Sequence, residues 1–245
     1  MSGPVWEDER IVAGMERLLE RRRGALEAGE RPIGWKLAFG TVEAKAALGI
    51  SGPAVGYLTD ATMVEPGTSR SIEGWTKPVL EAEIGIHLGG DVAPGAAADE
   101  ALAAIESLGP AIELADADSP PDQLADVVAG DIYHRAVVLA PPERRRPGAE
   151  AGDLRVTVQR DGKECEARED PEAAVGVLGA LVAHTASYLA AFGERLRAGE
   201  VVISGSTIPL IAPGPGQRFS YELEPVGELS VAFDGAMAAR PTPGR

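Results

Sequence analysis

The chain has 245 residues, 44% of them hydrophobic, which excludes a disordered polymer and supplies enough apolar surface for a sizeable core. A net charge of −15 excludes nucleic acid as a main partner, because phosphate binding needs a basic surface, but it leaves room for a small anionic substrate held through a metal. The single cysteine, Cys165 in "KECEA", excludes an internal disulfide and reads as a solvated or half-buried residue rather than a nucleophile.

The first residues, "MSGPVWEDERIVAG", lack a basic-then-apolar leader pattern, and no run approaches the roughly 18 apolar residues of a membrane span. These features predict a cytoplasmic protein with no membrane partner. Residues 6 to 28 then read as an amphipathic helix, with Ile11, Met15, Leu18, Leu19 and Leu26 at helical spacing. The run Arg21, Arg22, Arg23 fits a solvated face of that helix, and Gly29 a stop. "IGWKLAFG" alternates as a short strand, and "VEAKAALG" predicts a helix over 42–49 ended by Gly49.

A strand is expected over 79–88, a helix over 99–108 and strands over 111–115 and 133–140. The stretch 140–153, "APPERRRPGAEAGD", is either a boundary or a long loop. Residues 154–167 read as a hairpin turning at "RDGK", and 172–193 as an alanine- and leucine-rich helix. From 200 onward short strands are cut by Gly and Pro. The pattern predicts an α+β fold.

The chemistry-bearing stretch is "KPVLEAEIGIHL". Side chains at i and i+2 of a strand share a face about 6.6 Å apart, so Glu81 and Glu83 point one way while Leu80, Ala82, Ile84 and Ile86 point the other. Two readings are open: a strand with one solvated face, or a hard-metal site in which a cation relieves the repulsion of the carboxylates. Carboxylate oxygens suit Mg²⁺ or Mn²⁺. Glu113, in "AIELAD" between the apolar Ile112 and Leu114, is the candidate third ligand. Lys36, beside Gly34 on the first strand, is either a surface lysine or the cation that offsets substrate charge.

Four stretches carry a resemblance to a known family: "GWKLAFGTVEAKAALGISGPAVG", "LEAEIGIHL", "LGPAIELAD", and "LRAGEVVISGS" with "VGELSVAF". Together they resemble the 2-keto-4-pentenoate hydratase and 4-oxalocrotonate decarboxylase group of the fumarylacetoacetate hydrolase superfamily, over about residues 33 to 233. The resemblance implies a mixed β-roll or sandwich core with flanking helices. It divides the chain into a short helical N-terminal region, 1–32, and a catalytic domain, 33–245, forming a single domain overall.

It also implies that Glu81, Glu83 and Glu113 bind Mg²⁺ or Mn²⁺, that Lys36 is the active-site lysine, and that Ser204 and Gly205, followed by Ser206, line the substrate pocket. Asp60 corresponds to the family's acidic residue after a Gly-x-Leu turn, one residue out of register. The chain departs from the family where Gly-Leu-Thr is replaced by Ala38-Phe39-Gly40, and where Tyr133, His134 and Arg135 replace small polar residues.

The activity implied by the resemblance is that of a metal-dependent lyase acting on a 2-oxo acid of the 2-hydroxydienoate type through an enolate, with hydration the expected reaction. Decarboxylation and C–C hydrolysis of an acylpyruvate are variants of it. His134 enters as an acid or base, or as a packed histidine near the core. The expected partners are the small-molecule substrate and further copies of the chain in a homo-oligomer. A non-catalytic partner subunit is the reading of another class; retention of Lys36, Glu81, Glu83 and Glu113 together speaks against it.

Overall fold

The computed structural model describes residues 3–235. Helix α1 (Glu9–Glu27) starts where Asp8 accepts the Arg10 N–H at 2.9 Å, and it buries Ile11, Met15, Leu18 and Leu19. Of the arginine run, Arg21 and Arg23 lie on the expected solvated face and only Arg22 departs from it. Arg22 is buried, its guanidinium lies 4.6 Å over the Trp35 ring, and it donates to Glu194 at 3.3 Å. Charge spacing alone does not reveal an aromatic partner on another element.

Strand β1 (Pro32–Ala38) leads to α2 (Val42–Leu48), capped by the Thr41 hydroxyl, and then to β2 (Ala54–Thr59), antiparallel to β1. After β3 (Ser69–Ser71), the long strands β4 (Pro78–Leu88) and β5 (Ile105–Asp116) pair antiparallel, with α3 (Ala98–Ala103) between them in sequence. The helix expected over 99–108 stops at Ala103. Ile105 and Leu108 instead pair with Leu88 and Ile86. Three-residue spacing over so short a run fits either period, and the ladder to β4 decides it.

Helix α4 (Leu124–Ala129), β6 (His134–Leu139) and β7 (Arg146–Pro147) come next, and β7 pairs with β5, so the stretch 140–153 stays on the sheet. Strands β8 (Arg155–Arg160) and β9 (Lys163–Arg168) join through Asp161 and Gly162, both at positive φ (51° and 76°), as a two-residue primed turn requires.

The helix expected over 172–193 is broken into α5 (Glu172–Val175) and α6 (Leu178–Ala191) at Gly176, φ 102°. By length and hydropathy the segment Glu172–Ala191 does reach membrane-span character, contrary to the reading of the sequence, yet half of it is buried within the fold. Strands β10 (Val201–Ile203), β11 (Arg218–Glu224) and β12 (Gly227–Asp234) complete the described chain.

The strands form two sheets. One runs β2-β1-β10-β4-β5-β6 with β7 on β5, and the other runs β3-β12-β11-β8-β9. The Tyr221 hydroxyl of β11 donates to the Glu83 carbonyl of β4 at 3.0 Å and ties the sheets together. The architecture is α+β, as the pattern of elements predicts.

Candidate active site

Glu81 and Glu83 share a face of β4, and the ladder sets Glu81 directly opposite Glu113 of β5. The solvated-face reading fails here: Glu83 and Glu113 are buried, and Glu81 is only partly open, toward a cavity. Like charges opposite one another on a sheet are destabilising, and burial deepens the penalty. Burial, then the Glu113 charge, pushes Glu81 up to about 7. Glu83 is driven well above the ordinary range by burial, Glu113 and Glu81, against the opposing Gly205 N–H, which donates to Oε2 at 2.7 Å.

Lys36 supplies the local countercharge. Its ammonium donates to Glu113 Oε1 and, at 2.9 Å, to the Ile132 carbonyl. Burial opposes the ammonium, but Glu113, Asp131 and Glu81 outweigh it and hold Lys36 above its usual value. Glu113 is held below its usual value: burial raises it, and Lys36 and His134 more than reverse that. Lys36 sits on β1 and Glu113 on β5, three strands away in the sheet, or about 14 Å if it were flat. The pair therefore forms only because the sheet curls.

A short left-handed turn, missed in the sequence, builds the floor of the site. Asp131, Ile132 and Tyr133 have φ of 63°, 47° and 67°, which is costly for residues with a Cβ. Ile132 presents its carbonyl to Lys36, and Asp131 accepts the Tyr57 N–H at 2.9 Å. Burial lifts Asp131 to about 6, with His134 and Lys36 opposing. A Cβ at Gly56 would come within 2.5 Å of the Asp131 carboxylate and 2.9 Å of the Lys36 chain, so glycine at that position makes the contact possible. The stretch "GDIYH" was visible in the sequence, but nothing local marks Asp131 as the acid beneath the lysine.

The other expected residues divide. Ser204, Gly205 and Ser206 line a cavity of about 300 Å³ together with Lys36 and Glu81. The Ser204 hydroxyl is engaged within the fold, accepting the Ile84 N–H at 3.0 Å and donating to the Gly205 carbonyl at 2.9 Å, so it shapes the loop. His134 lies behind Glu113: Nδ1 is 2.8 Å from Glu113 Oε1 and Nε2 is 3.0 Å from Thr62 Oγ1. Both ring nitrogens are thus engaged, and His134 is not among the residues that line the cavity, so it touches the cluster through Glu113. Asp60 also stands apart, accepting the Arg31 N–H at 2.8 Å and pairing with its guanidinium at 2.8 Å. Gly40 stands where the resembled family has a threonine, and Thr41, one residue further on, lines the cavity while its hydroxyl accepts the Ala44 N–H at 3.1 Å.

The donor set fits a hard cation. Glu83 Oε1 is buried with no hydrogen-bond partner. A divalent ion would bring the three carboxylates and Lys36 to neutrality, and all-oxygen donors match Mg²⁺ or Mn²⁺. Among the described residues no three acidic or imidazole groups stand in a closed coordination shell, and Lys36 holds one oxygen of Glu113.

No family model matches the chain. A 4-oxalocrotonate decarboxylase from a Pseudomonas species is 30% identical over 232 residues, spanning 92% of this chain and 87% of that protein. A 2-hydroxyhexa-2,4-dienoate hydratase from Comamonas testosteroni is 29% identical over 211 residues, 84% of this chain and 80% of its own. A solved 4-oxalocrotonate decarboxylase from Pseudomonas putida, complexed with magnesium and adipate, matches the fold with a TM-score of 0.83 at 23% identity, over 91% of this chain and 86% of that one.

Proposed function

The chain belongs to the 2-keto-4-pentenoate hydratase and 4-oxalocrotonate decarboxylase group of the fumarylacetoacetate hydrolase superfamily, and from that membership we propose a divalent-metal-dependent lyase acting on a 2-oxo acid of the 2-hydroxydienoate type, with hydration as its reaction. The observation that carries this reading is the cluster of Glu81, Glu83 and Glu113 beside Lys36, all but Glu81 buried and Glu81 facing the cavity. The three glutamates would hold Mg²⁺ or Mn²⁺. When bound, the ion supplies Lewis acidity toward the 1-carboxylate and 2-oxo group of the substrate.

The chain's own residues do the rest. The Lys36 ammonium, kept charged by its acidic neighbours, favours negative charge developing on the 2-oxygen as the enolate forms. Because that charge grows toward the transition state, the interaction accelerates the step rather than only tightening binding. Glu113 and the Ile132 carbonyl fix the ammonium in place, and His134 fixes Glu113. The Ser204–Gly205 loop, tied to β4 through Ile84 and Glu83, forms part of the wall against which the substrate would lie, and the apolar part of the wall would limit bulk water.

We place the protein in the cytoplasm as a homo-oligomer in which the N-terminal helix and the β core form one domain. Mass by light scattering tests the assembly: a single 25.4 kDa species at micromolar concentration would refute it. The activity is tested by adding Mg²⁺ or Mn²⁺ to chelator-treated protein with a 2-hydroxydienoate and monitoring loss of the dienol absorbance. Turnover should rise with metal and saturate near one ion per chain. Undiminished turnover in excess chelator would overturn the reading. Decarboxylation is the second reading, favoured by the 30% identical relative, and release of CO₂ from 4-oxalocrotonate separates it from hydration.

A further inference from the structure

Two charged residues, Lys36 and Glu81, line the cavity, together with the hydroxyl residues Thr41, Ser204 and Ser206. The remaining wall is largely carbon, from Phe39, Tyr133, Val175, Leu181, Ile208 and Leu210. Lys36 is the sole cation among the described residues that line the cavity, and its ammonium is already held by Glu113 and the Ile132 carbonyl.

Phe39 and Tyr133 meet edge to face, ring centroids 6.5 Å apart at 89°. Both carry left-handed backbones, φ 60° and 67°, a conformation unfavourable for aromatic residues. Packing and hydrogen bonding keep them there: both rings pack against the main core, and the Tyr133 hydroxyl donates to the Ser119 carbonyl at 2.9 Å. Two strained residues on separate elements thus present their rings to the same wall, which is where unusual backbone marks function.

We infer that the far end of the substrate is uncharged and apolar, an alkyl, alkenyl or aryl tail, and that the Phe39–Tyr133 pair sets the size of tail admitted. This rests on the 2-oxo acid reading of the head end. A second carboxylate at the far end would lose water against carbon with no cation to pair with it. Lys45 and Arg168 line a separate groove that shares Thr41 and Ser206 with the cavity, and Glu43 and Glu172 line the same groove.

The test is calorimetric binding in excess Mg²⁺ of oxalate, which presents only the head, and of two six-carbon acids, 2-oxohexanoate and 2-oxoadipate. With an apolar far end, 2-oxohexanoate should bind about 100-fold more tightly than 2-oxoadipate. Phe39→Ala should improve 4-phenyl-2-oxobutanoate about 10-fold relative to 2-oxohexanoate, each read as a ratio to oxalate on the same variant. Phe39→Leu should move the ratio the same way by less, and it carries the test if the alanine variant does not fold. Equal or tighter binding of 2-oxoadipate, with oxalate still binding, would overturn the apolar far end and leave the head-end reading standing. A tail ratio unmoved in the folded Phe39 variants would overturn the role of the aromatic pair. Failure of oxalate to bind with metal present would overturn the underlying reading and this inference with it.

Discussion

Replacing Lys36 by methionine in metal-free protein tests whether the buried carboxylates depend on a cation. Lys36 and Glu113 are each 1% exposed, so solvent does little to screen the loss. Removing one partner of such a pair destabilises by about 3–5 kcal/mol, because the other charge is left buried. For a chain of this size each kcal/mol lowers Tm by about 2–4 °C, so Lys36→Met should lower it by roughly 6–20 °C in chelator.

The loss should depend on pH with a definite sign. Glu81 is already raised to about 7 from an ordinary 4.5, and Glu83 is also raised; without the ammonium both rise further. A carboxyl raised in the folded state stabilises fully below its unfolded value, and that contribution is gone once pH passes the folded value. The variant should therefore lose less near about pH 5 than near about pH 8. Saturating Mg²⁺, at about 100 times its dissociation constant, stabilises the native state by about 2.7 kcal/mol and should restore part of the loss. Thermal and urea unfolding at both pH values, with chelator and with Mg²⁺, reads all three effects. Unchanged metal-free stability, or a loss larger at the lower pH, would refute the charge argument.

Glu83→Gln keeps shape and removes charge, so it should weaken Mg²⁺ binding by about 100-fold or more, with turnover falling in step, as calorimetry and rate measurements would show. His134→Ala should raise the Mg²⁺ dissociation constant about 10- to 100-fold through a loosened Glu113 while leaving the shape of the pH–rate profile intact; a displaced limb would restore an acid–base role to the ring. Asp131→Ala leaves the Tyr57 N–H unpaired and keeps a strained backbone, so urea unfolding should show a loss of about 2–4 kcal/mol. Asp131→Asn should retain most of that stability, because asparagine tolerates the left-handed region.

Much of this site was legible in the amino-acid order because it rests on local periodicity. Alternation put Glu81 and Glu83 on one face of a strand, and Asp161-Gly162 marked the hairpin, since both depend on a few neighbouring residues and hold in almost any tertiary setting. The resemblance carried Lys36 and Glu113 into the same site, but no periodicity could, for they lie 77 residues and three strands apart.

Only the tertiary structure decided whether the glutamate face meets water or protein. Alternation looks the same for a solvated face and for one covered by a second layer, and here the curl of the sheet closes over the carboxylates. The same holds for Arg22 over Trp35 and for the two separate roles of Asp131 and His134. Three consecutive non-glycine residues in the left-handed region have no local signal to announce them, because local energetics oppose the turn. It exists because Tyr57 and Lys36, both distant in sequence, supply the hydrogen bonds and charge that outweigh its strain.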